Sequence, residues 1–331
     1  MGRIHFLAGQ KLRQAKVTAI CSRDPKKLDG DWSSTRGNFG PPPGIVDLSS
    51  VKRYASYEEM LRDPEIDLID VCNPTVHHEA TAIAALKAGK HVLVEKAIAL
   101  TPDGADRMLA AAREAGRLLM VAHVLPFFPE FQYVHEAVRD GRYGRLLGGH
   151  LKRVISTPDW SAEIADVAAT GGPAVDLHIH DTHFIGLLAG IPPHVFSIGV
   201  QDGDAVTYLT TQYLYGPGGP ALSCSSGAIA MKARPFVHGF EIYLERATLV
   251  HEGAMPLTIY HDDGRTENPT LGSSDPIDVF ARELQAAVDG VASGREPEIL
   301  SGQLARDALM LCLKEIASVQ QGTTIAITAL S

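Results

Sequence analysis

Between Ile66 and Ala122, three short apolar runs alternate with two stretches of helix length, and this alternation constrains the fold more than any other feature of the chain. Ile66-Asp-Leu-Ile-Asp-Val-Cys-Asn73, His91-Val-Leu-Val-Glu95-Lys96 and Leu118-Leu-Met-Val-Ala122 read as strands. The spacing predicts helices over 76–89 and 102–116, the second with Thr101 as N-cap and Pro102 at the first helical position. Strands alternating with such helices form βαβ units and a parallel sheet. Their nearly continuous apolar character fits a sheet covered on both faces. Ligands of open α/β sheets bind beyond the carboxyl ends of the strands. Glu95 and Lys96 stand at such an end.

Before this stretch, Gly2 onward has a helical pattern, Val17 to Cys21 reads as a strand, and a short helix is expected around Tyr57 to Leu61. The Gly- and Pro-rich loop from Asp29 to Ser50 separates them. After His123 the texture changes. Helices are expected over Pro129–Gly141, Ala174–Leu188, Ile277–Ala292 and Gln303–Gln320. Strand-like segments joined by turns such as Gly216-Pro-Gly-Gly219 fill much of the interval from His194 to Tyr260. Short connections of this kind imply antiparallel pairing. The expected fold is an α/β doubly wound, Rossmann-like parallel sheet over residues 1–122, followed by an α+β domain with a large antiparallel sheet over 123–331.

Formal net charge is −9, without a basic cluster, which argues against nucleic acid as a principal partner. No apolar run approaches a membrane span. The four cysteines are scattered without C-x-x-C spacing and read as reduced thiols of a cytoplasmic protein.

Several segments, in order, resemble the glucose–fructose oxidoreductase/inositol dehydrogenase/MocA family. Asp70-Val-Cys-Asn-Pro-Thr-Val-His-His78 resembles that family's strand ending in T-P-N-x-x-H, with Asn73, Pro74 and His78 in the Thr, Pro and His places. Ala88-Gly-Lys-His-Val-Leu-Val-Glu-Lys96 is similar to A-G-K-H-V-x-x-E-K-P. Val121-Ala-His123, with Phe128-Pro129 after it, is similar to V-x-H-x-x-R-F-x-P, and Gly171 to His180 to G-G-G-x-L-x-D-x-G-x-H. Departures are Ala97 for the usual Pro, Leu125-Pro126 in the Arg-Phe region, and His178 where Gly is common.

The resemblance implies an NAD(P)-dependent oxidoreductase acting on a sugar, cyclic polyol or related polyhydroxyl compound. His180 would be the acid/base, Asp176 a substrate or orienting contact, and Lys96 the group that stabilises a developing alkoxide. Histidine suits the proton transfer because it titrates near neutrality. On a helix, Asp176, His180 and His183 share one face at i, i+4 and i+7, and His123 and His183 join Asp176 as substrate contacts. Cofactor contacts would come from Asn73, Pro74, His78, Glu95 and Lys96. Ser22-Arg23 stands where a dinucleotide fold meets the adenosine ribose. A carboxylate there favours NAD, whereas an arginine grips a 2′-phosphate, so the expectation leans to NADP. A homodimer or homotetramer through the second domain's sheet is also implied.

Three other readings compete. A same-fold lyase, epimerase or glycosidase would recycle bound NAD without net redox change, and a non-catalytic sensor would bind dinucleotide or sugar only. His178, His180, Asp181 and His183 also read as a hydrolase metal site, but these side chains point around more than one helix face, and no metal ion is expected. Finally, the family opens with a strand and G-x-G-x-x-G-x-x-H, of which Gly2-Arg-Ile-His5 matches the tail. The strands at Val17–Cys21 and Ile66–Val71 are therefore expected to lack a shared neighbour. On this reading residue 1 is an internal methionine of a longer natural chain, and the 331-residue form binds dinucleotide poorly.

Overall fold

The structure, a computed structural model, describes residues 1–35, 40–156 and 170–327. The chain divides into two compact units. The first comprises Met1–Ala99, Asp103–Phe127 and Ser273–Gln303; the second comprises Leu100–Pro102, Phe128–Gly272 and the segment from Leu304. The single boundary expected near residue 122 is thus replaced by an excursion and a return.

The first unit begins with α1 (Gly2–Gly9), β1 (Ala19–Cys21), α2 (Pro25–Leu28), β2 (Lys52–Tyr54) and α3 (Tyr57–Leu61). Then come β3 (Leu68–Val71), α4 (His78–Lys87), β4 (His91–Glu95), α5 (Pro102–Ala115) and β5 (Leu119–Ala122). β3, β4 and β5 pair in parallel, in that order. Val92, Leu93, Val94, Met120 and Val121 are fully buried, as continuous apolar runs require. β1 and β2 form a separate parallel pair. The single doubly wound sheet is therefore two pieces, and among the described residues β1 and β3 each lie at a sheet edge. The returning helix α9 (Pro276–Ser293) belongs here because its apolar face, with Val279, Phe280, Leu284 and Ala287 buried, packs on α1. The Phe280 and His5 rings lie 5.4 Å apart.

In the second unit, α6 (Pro129–Arg139) precedes β6 (Leu146–Ser156), and α7 (Pro173–Asp176) and α8 (Ile179–Ala189) follow it. Strands β7 (His194–Asp202), β8 (Ala205–Leu214), β9 (Ala221–Ala230), β10 (Val237–Leu244), β11 (Ala247–Glu252), β12 (Thr258–His261) and β13 (Thr266–Glu267) come next. α10 (Gly302–Gln321) and β14 (Ile325–Ala326) complete the unit. The nine strands run in the order β13-β12-β11-β10-β6-β9-β8-β7-β14. All neighbours are antiparallel except β6 and β9, which are parallel, so the sheet is mixed rather than wholly antiparallel. The reason is topological: β7-β8-β9 and β10-β11-β12-β13 are meanders, while β6 reaches β9 through a long connection. α7 packs on β8, and α8 on β6 and β9.

Candidate active site

In the first unit, register groups several of the predicted site residues. Val71, Val94 and Val121 lie side by side, so Asn73, Glu95-Lys96 and His123 leave the sheet at one end. Asn73 donates from Nδ2 to Thr81 Oγ1 at 2.8 Å. His78, buried in the first turn of α4, sets one ring nitrogen 2.8 Å from the Asn73 carbonyl and the other 2.8 Å from the Ala97 carbonyl. Burial outweighs these two acceptors and lowers its pKa. The neutral ring has one N–H, so it donates to one of these two carbonyls. The Lys96–Ala97 peptide is cis. Lys96 is half-buried and His123 fully buried. Glu95 turns inward instead: it is 5% exposed and lies 2.9 Å from His5 of α1. Pro74 is exposed.

Ser22 and Arg23 follow β1. Ser22 donates its N–H to the Tyr54 carbonyl, and its hydroxyl accepts from the Asp24 N–H. Asp24 in turn caps α2. The turn is self-satisfied, which leaves Arg23 exposed beyond it.

In the second unit, the Gly171–His183 segment carries the other predicted site residues, and here the helix expected over 174–188 is broken. Gly172, at φ +73°, is the N-cap of α7, a conformation that glycine adopts without a Cβ penalty. Asp176 therefore ends α7 rather than capping it. The His178 N–H reaches back five residues to the Pro173 carbonyl before α8 begins. Asp176 and His180 are half-buried on either side of this break.

His178 and Asp181, between and after them, are turned into the unit. Asp181, fully buried, accepts from Arg153 of β6 through both oxygens, at 2.7 and 3.1 Å. His178, also fully buried, sits 2.7 Å from Glu315 of α10, without hydrogen-bond alignment. Its ring is 3.4 Å from the Tyr213 hydroxyl. His178 and Asp181 are thus interior partners of Glu315 and Arg153 rather than the metal-ligand set that the H-x-H pattern suggested. The sequence reading missed Arg153, Tyr213 and Glu315. One signal was present: Lys152-Arg153 inside a strand must direct one cation to each face.

His183 is fully buried, and burial, with His135 nearby, pushes its pKa down to about 3. An unfolded histidine titrates near 6.5. Between about pH 6.5 and pH 3 the unfolded chain therefore binds the extra proton, so stability falls as pH drops through this window. Thermal melts from pH 7 to pH 4 should show a falling midpoint, with a smaller fall in His183→Gln; parallel curves would remove His183 as a cause.

One observation bears on a dinucleotide at the strand ends. Asn73 Oδ1 is buried and, among the described residues, has no hydrogen-bond partner. An unmatched buried acceptor costs about 1–3 kcal/mol, which a ligand hydroxyl or amide N–H would offset. The start of α1 lies against the same strand: a Cβ on Gly2 would be 3.5 Å from that of Cys72. These residues fit a nicotinamide dinucleotide.

Residues 1–123 match the family model described as an oxidoreductase family with an NAD-binding Rossmann fold. Over residues 1–123 the chain carries the NAD-binding domain of the glucose–fructose oxidoreductase/inositol dehydrogenase/MocA family. It is 27% identical to myo-inositol 2-dehydrogenase of Thermotoga maritima, covering 80% of this chain and 80% of that protein. It is 26% identical to 1,5-anhydro-D-fructose reductase of Ensifer adhaerens, covering 74% and 75%. A levoglucosan dehydrogenase solved with NADH superposes with a TM-score of 0.84 at 17% identity, over 100% of this chain and 97% of that one, which shows the shared fold. With this NAD-binding domain the chain is an oxidoreductase. Among the described residues, no helix is long and apolar enough to cross a membrane.

Proposed function

We propose that the chain oxidises a hydroxyl carbon of a sugar, inositol or related polyol, with Lys96, Asp176 and His180 as its reacting groups. The observation that carries this reading is the division of polar side chains around the broken helix. His178 and Asp181 are fully buried beside Glu315 and Arg153, whereas Asp176 and His180 are half-buried. A bound nicotinamide supplies the hydride acceptor. His180 takes the hydroxyl proton, the Lys96 ammonium stabilises the alkoxide as it forms, and Asp176 orients substrate. Asn73, Pro74 and His78 shape the cofactor end, with Glu95 acting from beneath the sheet; His123 and His183 line the substrate side. Relatives named for inositol, anhydrofructose and levoglucosan support a polyhydroxyl substrate.

NADP is inferred over NAD, on Arg23 in its exposed turn. The test is a panel of inositols, anhydrosugars and aldoses with each cofactor, following reduced nicotinamide. Turnover is expected with at least one, and Arg23→Ala should weaken NADP about tenfold or more while leaving NAD nearly unchanged, as loss of a charge-assisted contact implies. Equal effects on both would make Ser22-Arg23 only a turn. Four unpaired cysteines fit a reducing, cytoplasmic setting. Exposed Ile198, Val200, Ile229 and Tyr260 on the large sheet support a homodimer or homotetramer through it; a single-chain mass by light scattering would contradict that.

A further inference from the structure

The first unit contains a group of metal-ligand donors that the oxidoreductase chemistry does not use. His5 of α1 places Nδ1 2.9 Å from Asp70 Oδ2 of β3. Cys72 Sγ, just beyond that strand, is 3.5 Å from His5 Nδ1 and 3.5 Å from Asp70 Oδ1. One donor atom from each residue lies within 4.8 Å of the others. Zinc bonds of about 2.0–2.3 Å place tetrahedral ligands roughly 3.3–3.7 Å apart, so the observed triangle needs only slight opening to seat an ion.

A second, independent feature points to a ligand. Glu283 of α9 is fully buried, both of its carboxyl oxygens lack a hydrogen-bond partner among the described residues, and it interacts electrostatically with His5, Glu95 and Asp70. Glu95 itself is 2.9 Å from the other ring nitrogen of His5, without hydrogen-bond alignment. Three carboxyl groups thus converge on a single imidazole. Buried acids in such excess require protons or a cation. Asp70 is 33% exposed on its side chain, which gives an ion a way in.

We propose that His5, Asp70 and Cys72 form a structural site for a divalent transition metal, zinc foremost, balanced by Glu95 and Glu283. The mixed nitrogen, oxygen and sulfur donors suit zinc or cobalt rather than magnesium or calcium. The ion would tie α1 to the carboxyl end of β3, which among the described residues is an edge strand. The expectation of no metal rested on the His178 to His183 segment; these donors escaped it because they lie far apart in the chain.

The test uses the whole chain, reduced and freed of any purification tag. Equilibrium dialysis should find one zinc per chain, zinc should raise the melting midpoint, and cobalt should give a thiolate charge-transfer band in the near ultraviolet. Cys72→Ser should abolish the band, and both it and Asp70→Asn should weaken zinc at least about tenfold, the loss seen even for outer-shell partners. Cys21→Ser, which removes the exposed thiol, should leave the band intact. Absence of stoichiometric uptake by the unmodified chain would overturn the proposal. So would uptake that survives both Cys72→Ser and Asp70→Asn.

Discussion

His180→Ala and Lys96→Ala are each expected to lower turnover by about a hundred- to ten-thousand-fold, the usual worth of a positioned acid/base or charge-stabilising group. The loss should fall on kcat more than on KM, because both groups act on charge that develops only in the transition state. Both side chains are half-buried rather than core, so the variants should stay folded. His180→Ala should also remove the limb of the pH–rate profile that reports the base. Circular dichroism and melting midpoints close to the parent chain's would separate this chemical loss from a structural one. Near-parent turnover in both variants would remove them from the mechanism.

Arg153→Ala is expected to destabilise the second unit by about 3–5 kcal/mol, because it strands the fully buried carboxylate of Asp181. The size follows from burial: Arg153 and Asp181 are 7% and 0% exposed on their side chains, and two charge-assisted hydrogen bonds join them. Removing both partners, as Arg153→Met with Asp181→Leu, should cost much less, since replacing a buried pair with apolar groups of similar size is often near neutral. Denaturant titration of the single and double variants measures the difference. A cost below about 1 kcal/mol in Arg153→Ala would mean that water reaches Asp181. The pair also fixes the start of α8, where His180 immediately precedes Asp181. Some loss of turnover should therefore accompany the loss of stability.

The parts of this molecule that could be read from its sequence are those set by local periodicity. Leu93 and Val94 announce a doubly covered strand, and Pro102 and Gly116 mark the two ends of α5 almost to the residue. What could not be read depends on partners distant in the chain. His178 finds Glu315, and β6 finds β9 across a long crossover; neither pairing leaves a local trace. The break after Asp176 was hidden because Leu177-His178-Ile179 continues an acceptable helical pattern. The cis bond before Ala97 carried no proline to signal it. α9 returns to the first unit because its buried stripe matches α1, and a stripe alone does not name the surface it will meet.

The central claim is that this chain carries out a net oxidation with Lys96 and His180 as the reacting groups. The most direct measurement follows a substrate from the polyol panel, deuterated at the carbon to be oxidised, together with oxidised cofactor. Mass spectrometry then tracks the label in both cofactor and product. The account predicts reduced nicotinamide that carries the deuterium and accumulates mole for mole with a carbonyl product. Product formed while the free cofactor stays oxidised, with the label returned to the product, would contradict it and identify a recycled cofactor instead.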